Sequence, residues 1–226
     1  MVQLLEVKES LKSIAIAVSL SKEFAITAVE RDVTAGIPES EIERLRESGL
    51  LPLVVPKKYG GIGASWAEAL KIVQELSKAD GSIGQLYANH LNLTAVGHFS
   101  GTPEQKERYY RETAQNNWFW ANAVNTRDTR LNITPEGNNF RVNGVKSFGT
   151  GVAAADVRVF SALQDGVEEP VLFVIPRDRE GVISNHDWDN FGQRRTDSGS
   201  FTFHNVLVKK DEILGPPIPP DKLMNL

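Results

Sequence analysis

The sequence predicts an α+β protein, with an N-terminal all-α part followed by an antiparallel β-barrel or sandwich, and three observations carry that prediction. From residue 3 to about 115, apolar residues recur at helical spacing behind recognisable caps. From about Trp118 the period falls to two, with turn residues between the runs. Gly215-Pro216-Pro217-Ile218-Pro219-Pro220 can continue neither kind of element. The implied organisation is a helical domain over 1–116, a β domain over 117–214 and a proline-rich linker or tail over 215–226. A linker followed by only six residues reads as a cut chain, and a plain disordered tail is the alternative.

The helices follow in order. Ile14 to Leu20 is a short apolar run read as helix core, because Glu6 and Glu9 offset Lys8 and Lys12 and no basic flank of a signal peptide precedes it. Ile42 and Leu45 keep helical spacing, and Gly49 offers a left-handed stop. The stretch LPLVVPKKYGGIG, with two prolines and three glycines, requires an irregular loop over Pro52 to Gly63. Ser65 and Glu68 form a capping box ahead of Trp66, Leu70, Val73 and Leu76, which are expected to make one buried stripe. Asp80 and Ser82 restart a helix through Tyr87, His90, Leu91 and Thr94, and Thr102-Pro103-Glu104-Gln105 caps another.

In the second half, Leu131–Ile133 and Phe140–Val142 flank the polar Glu136-Gly137-Asn138-Asn139. Asn143-Gly144 then predicts a type I′ hairpin turn between Phe140–Val142 and Val145–Phe148. Val157–Leu163, Val171–Ile175 and Ser200–Val208 read as further strands, spaced as in a small barrel or sandwich.

Composition narrows the chemistry. Without a single cysteine, the chain has no disulfide, no thiolate metal site and no cysteine nucleophile, so redox chemistry requires a bound cofactor. The 25 basic and 29 acidic residues give a formal charge of -4 with no basic stripe, which argues against nucleic acid as a partner. No stretch approaches the roughly 20 apolar residues that span a bilayer, and a cytoplasmic protein is expected. His98, His186 and His204 show no metal-ligand spacing and are assigned no role.

Three segments in order, LPLVVPKKYGG, NGVKSFGTG and GQRRTDSGS, match the L-x-P-x-x-YGG, NG-x-K-x-[WF]-I-[TS]-N-G and G-x-R-x-[ST] segments of the acyl-CoA dehydrogenase superfamily, which the chain resembles over essentially its whole length. NNWFWANA, KADGSIGQLYANHL and HDWDNFGQRRTDSGS look most like its sulfur-oxidising flavin monooxygenases, of the dibenzothiophene type. Where acyl-CoA dehydrogenases carry T-E-P-G-A-G-S-D, this chain has Asn122 to Asp128, which weakens the case for acyl-CoA and for FAD bound in the usual way.

The resemblance implies site residues, each with a structural alternative. Phe148 would lie against one face of the isoalloxazine, with Thr150 at N5 and Gly151 completing the segment, and strand alternation would put Phe148 and Thr150 on one side; sandwich core for Phe148 and a plain strand position for Thr150 are the alternatives. Asn122 would pair with the pyrimidine edge, with Trp120 on the same face; core packing is the alternative for Trp120 and the preferred reading of Trp118. His90 would face flavin and substrate as a proton donor near neutral pH, or else be a packing residue. Trp188 would stack on an apolar substrate, or pack in the core. Arg194 or Arg195 would reach a phosphate, or pair with Asp187, Asp189 or Asp197.

The implied function is an FMNH2-dependent monooxygenase acting on a small apolar or sulfur-containing molecule, with reduced FMN, rather than FAD, supplied by a separate flavin reductase. An FAD-dependent acyl-CoA dehydrogenase and a non-catalytic flavin-binding or interaction module are the alternatives. The family's third, helical domain, which supplies further active-site groups and holds a homo-oligomer together, has no counterpart in this sequence, so the chain alone is expected to hold at most half a site.

Overall fold

Caps set the helix boundaries in the computed structural model, which describes residues 2–215, with side chains from Leu11 onward; the expected linker over 215–226 lies, past Gly215, outside the described residues. The Ser65 hydroxyl accepts from Glu68 N at 3.3 Å while the Glu68 carboxylate accepts from Ser65 N at 2.8 Å, so a helix must start at Trp66. Thr102 and Gln105 repeat the arrangement, and the Asp80 carboxylate accepts from Ser82 N and Ile83 N. The resulting helices are α1 (Val2–Thr34), α2 (Glu39–Glu47), α3 (Trp66–Ala79), α4 (Gly81–Thr94), a short α5 (Val96–Ser100) and α6 (Pro103–Asn116). Gly49, with φ of +74°, follows α2 in the left-handed conformation expected.

The α3 stripe is rotated from its expected position. Ala69, Ile72 and Leu76 are buried, whereas Trp66 and Leu70 are exposed. Helical spacing fixes which residues share a face but not which of two apolar faces meets a neighbour, and here α1 and α4 cover the one carrying Ile72.

The second half forms β1 (Trp120–Ala123), β2 (Leu131–Glu136), β3 (Asn139–Lys146), β4 (Val157–Ala162), β5 (Val171–Pro176), β6 (Val182–Ser184) and β7 (Phe201–Lys209). They make two sheets, ordered β1-β4-β5 and β2-β3-β7-β6, so the sandwich reading holds and the described residues form no closed barrel. Two pairings depart from the expected antiparallel pattern: β1 runs parallel to β4, with Trp120 opposite Val157, and an isolated parallel bridge joins Asn132 of β2 to Leu163. Aromatic rings fill the space between the sheets, the Phe160 ring meeting Phe203 edge-on at 4.9 Å and stacking on Phe173 at 5.7 Å.

Asn143-Gly144 does not turn the chain. β3 runs through it, paired with β2 on one side and β7 on the other, and the register slips between Val142 and Gly144 as a β-bulge. The Asn143 side chain accepts from Asn205 N at 2.7 Å, and a Cβ on Gly144 would come within 2.0 Å of the Arg130 carbonyl. A dipeptide tolerant of positive φ serves a hairpin or a bulge equally well, and the two flanking strands decide between them.

Candidate active site

The bulge in β3 is followed by the segment that carries the candidate residues. Beyond Lys146 the strand ends, and Phe148 adopts φ of +61°, a conformation costly for an aromatic residue. The residue is 57 % exposed, and its ring meets Trp188 edge-on at 6.3 Å. Strand alternation therefore does not govern this segment, and other contacts set the directions of Phe148 and Thr150.

Those contacts come from both sides. Asp128 accepts from Ser147 N at 2.8 Å and from the Ser147 hydroxyl at 2.6 Å, and Arg130, bonded to the same carboxylate at 2.8 Å, holds the acid well below the usual carboxylate range. The buried Lys146 ammonium donates to the Asp128 carbonyl at 2.9 Å, and burial lowers its pKa. On the other side Gly149 N donates to Gly199 O and Gly151 N to Thr196 O, both at 2.9 Å. Gly149 has no room for a side chain, since a Cβ would lie 2.4 Å from the Phe201 ring; at Gly151 a Cβ would lie 2.6 Å from Leu86.

Thr150 is half-buried and forms an isolated bridge with Asn122 of β1. Its hydroxyl lies 2.9 Å from Ser198 Oγ, which lies 2.7 Å from Thr196 Oγ1, itself 2.8 Å from the Gln193 carbonyl. Trp188 Nε1 donates to that same carbonyl at 2.9 Å. The half-buried Asn122 side-chain amide has no hydrogen-bond partner among the described residues. Phe148, Thr150, Asn122 and Trp188 are thus gathered through one loop, residues 185–200, which Asp187 closes by accepting from Ser200 N and Oγ at 2.6 Å each.

Two expected site residues turn away from this group. His90 is 0 % exposed: its Nδ1 accepts from Trp120 N at 3.1 Å, so Nε2 carries the proton and donates to Leu51 O at 2.8 Å, while the ring stacks on Phe119 at 5.2 Å. Burial pushes its pKa down to about 4, so it is a neutral tie between α4, the Leu51 loop and β1 rather than a proton donor facing a cofactor. Trp120 is fully buried, its Nε1 donating to Thr113 Oγ1 at 2.8 Å and its ring lying edge-on to Tyr109. It shares a strand face with Asn122, but α6 covers that end of the face. Trp118 is half-buried and lines a cleft of about 240 Å³ with Arg108, Tyr109 and Val174, which contains none of the candidate residues.

Both arginines are taken by protein groups. Arg194 pairs with Asp189 at 3.1 Å, and Arg195 pairs with the buried Glu41 of α2 at 3.2 Å rather than with any of the three expected aspartates. Sequence reasoning missed Asp128, Thr196 and Ser198. The last two lie inside the quoted GQRRTDSGS segment and Asp128 ends the Asn122–Asp128 stretch, so position was the available signal and hydroxyl partnering was not.

Comparison with known proteins identifies the family of the chain. The family profile for the acyl-CoA dehydrogenase N-terminal domain matches residues 15–117, and that for the acyl-CoA dehydrogenase middle domain matches residues 122–206. The chain is 42% identical over 214 residues to a dibenzothiophene monooxygenase of Mycolicibacterium goodii, covering 90% of this chain and 52% of that protein. It is 41% identical over 209 residues to a protein of Pseudomonas putida named a probable FMNH2-dependent monooxygenase, SfnC, covering 92% of this chain and 53% of that one. Among solved structures, FMN-bound TdsC from Paenibacillus sp. A11-2 superposes with a TM-score of 0.84 at 38% identity, over 91% of this chain and 54% of that one. The chain thus spans about half the length of the relatives it matches. It belongs to the acyl-CoA dehydrogenase superfamily and carries that family's N-terminal and middle domains.

Proposed function

We propose that this chain provides the flavin-ring side of an FMN-dependent monooxygenase that oxidises a small apolar or sulfur-containing substrate. The observation that carries the reading is Phe148: an exposed aromatic held at φ of +61° beside the Thr150–Asn122 bridge. An apolar flat wall, a hydroxyl and a free carboxamide are the groups that an isoalloxazine ring requires, and the donor set fits it. The likeness to an FMNH2-dependent monooxygenase and to an FMN-bound structure supports FMN over FAD.

In this reading Phe148 lies against the ring, Thr150 addresses N5, Asn122 pairs with the pyrimidine edge, and the Gly151 backbone lets the segment lie close to α4. The bound flavin supplies the electrons and activates oxygen; the protein orients it and excludes water. Trp188, edge-on to Phe148, forms an aromatic wall on the substrate side. A separate reductase would supply reduced flavin, and a cytoplasmic location and, for a full-length chain with a third domain, homo-oligomeric assembly belong to the same proposal.

Tryptophan fluorescence during titration with FMN tests it, because Trp188 stands beside the assigned ring position. Saturable quenching with a Kd on the order of 10 µM or tighter is expected, weakened roughly tenfold by Phe148→Ala. Quenching that persists unchanged in that variant places the flavin elsewhere and ends this reading.

A further inference from the structure

Thr150, Ser198 and Thr196 bring three hydroxyls into a row that ends on the Gln193 carbonyl, with successive oxygen separations of 2.9, 2.7 and 2.8 Å. The inner two residues are sealed, Thr196 being 1 % and Ser198 6 % exposed, and neither side chain has another hydrogen-bond partner among the described residues. Only Thr150, at the outer end, is half-buried and reaches the candidate site.

Each hydroxyl carries one proton and can also accept, so the row has two complete orderings. In the first, Thr196 donates to Gln193 O, Ser198 donates to Thr196 and Thr150 donates to Ser198, leaving Thr150 with a lone pair facing outward. In the second, Thr196 donates to Ser198, Ser198 donates to Thr150, and the Thr150 proton faces outward. The inner end tolerates the exchange because Gln193 O also accepts from Trp188 Nε1 at 2.9 Å and from Thr196 N at 3.1 Å. Its two lone pairs stay occupied when the Thr196 hydroxyl turns away.

We propose that this row is a reversible hydroxyl relay, in which Ser198 and Thr196 are positioning residues that let Thr150 offer a proton or a lone pair to the flavin N5 according to the redox state of the ring. The inference rests on the flavin reading above and deepens it. N5 of an oxidised isoalloxazine is a hydrogen-bond acceptor; two-electron reduction places a proton there and makes it a donor. One hydroxyl can meet both states, and the relay keeps the buried protons behind it paired in each.

Removing the inner hydroxyl biases the row. In Thr196→Val, Ser198 has only Thr150 to donate to, so the Thr150 proton is driven outward; the opposite ordering leaves a buried Ser198 proton unpaired. The variant should therefore hold oxidised FMN and lose affinity for reduced FMN. Anaerobic titrations of the 226-residue chain with oxidised and with dithionite-reduced FMN give the ratio of the two affinities, which is insensitive to a general loss of binding or stability. The reduced-to-oxidised ratio is expected to fall about tenfold in Thr196→Val, lowering the midpoint potential of bound flavin by about 30 mV. Thr196→Ser, which restores the hydroxyl, should return the ratio to that of the wild type, and Thr196→Ala is a second route to the same loss where the valine variant does not fold. FMN binding with an unchanged ratio in the hydroxyl-free variants overturns the relay and leaves the flavin reading intact; no FMN binding by the wild-type chain overturns both.

Discussion

Phe148 shows how one residue can be set against the stability of its own fold. Its left-handed backbone costs on the order of 1 kcal/mol or more, and its exposed ring recovers little by burial. Asp128 and the backbone bonds from Gly149 and Gly151 hold the flanking residues, so the strain cannot relax. Phe148→Gly is therefore expected to leave stability in urea unchanged or raise it by about 0.5 kcal/mol, while weakening FMN binding at least tenfold. A stability loss above about 1 kcal/mol with undiminished FMN affinity would mark Phe148 as a packing residue. The grouping proposed as a site was partly legible in the sequence, because Phe148, Thr150, Asn122 and Trp188 sit in recognisable segments and lie near one another in the fold. His90 and Trp120 sit in equally recognisable segments, yet the Leu51 carbonyl and Thr113 draw them inward. Those partners lie 39 and 7 residues away in the chain and leave no local trace.

At the scale of elements, the signals that held were the ones satisfied locally. A capping box is complete within four residues, so α3 and α6 start where the sequence placed them. Signals that depend on neighbours did not hold: the buried face of α3, the bulge at Asn143-Gly144 and the parallel β1–β4 pair are decided by what packs alongside. His90 is the clearest tie between elements, joining α4 to β1 and to the loop at Leu51. Its pKa is about 4 in the folded chain against 6.5 for an ordinary histidine, so as pH falls below 6.5 the unfolded chain takes up the proton first and stability is lost down to about pH 4. Urea unfolding at pH 7.5 and pH 5 should show about 2 kcal/mol of pH-dependent loss that His90→Gln lacks. Equal losses in both proteins would mean that His90 is protonated while folded.

Across the whole molecule, the helical and β halves are joined by charged groups at the loop that carries the relay. Glu41 of α2, almost wholly buried, pairs with Arg31 of α1 at 2.8 Å and with Arg195 at 3.2 Å, and Arg31 also reaches Asp80 at the start of α4 at 2.8 Å. Asp156, ahead of β4, accepts from Phe119 N at 2.7 Å and from Arg46 of α2 at 2.9 Å. Residues 194–200 are thereby fixed from the helical side while Thr196 O and Gly199 O hold the Phe148–Gly151 segment. The account as a whole stands on Thr150 meeting N5 of the flavin. Nitrogen NMR of oxidised FMN labelled with ¹⁵N at N5 reads that contact directly. An upfield shift of N5 on binding to the wild-type chain, abolished in Thr150→Val while the ring stays bound, is the predicted result; the same N5 shift in both proteins would contradict it.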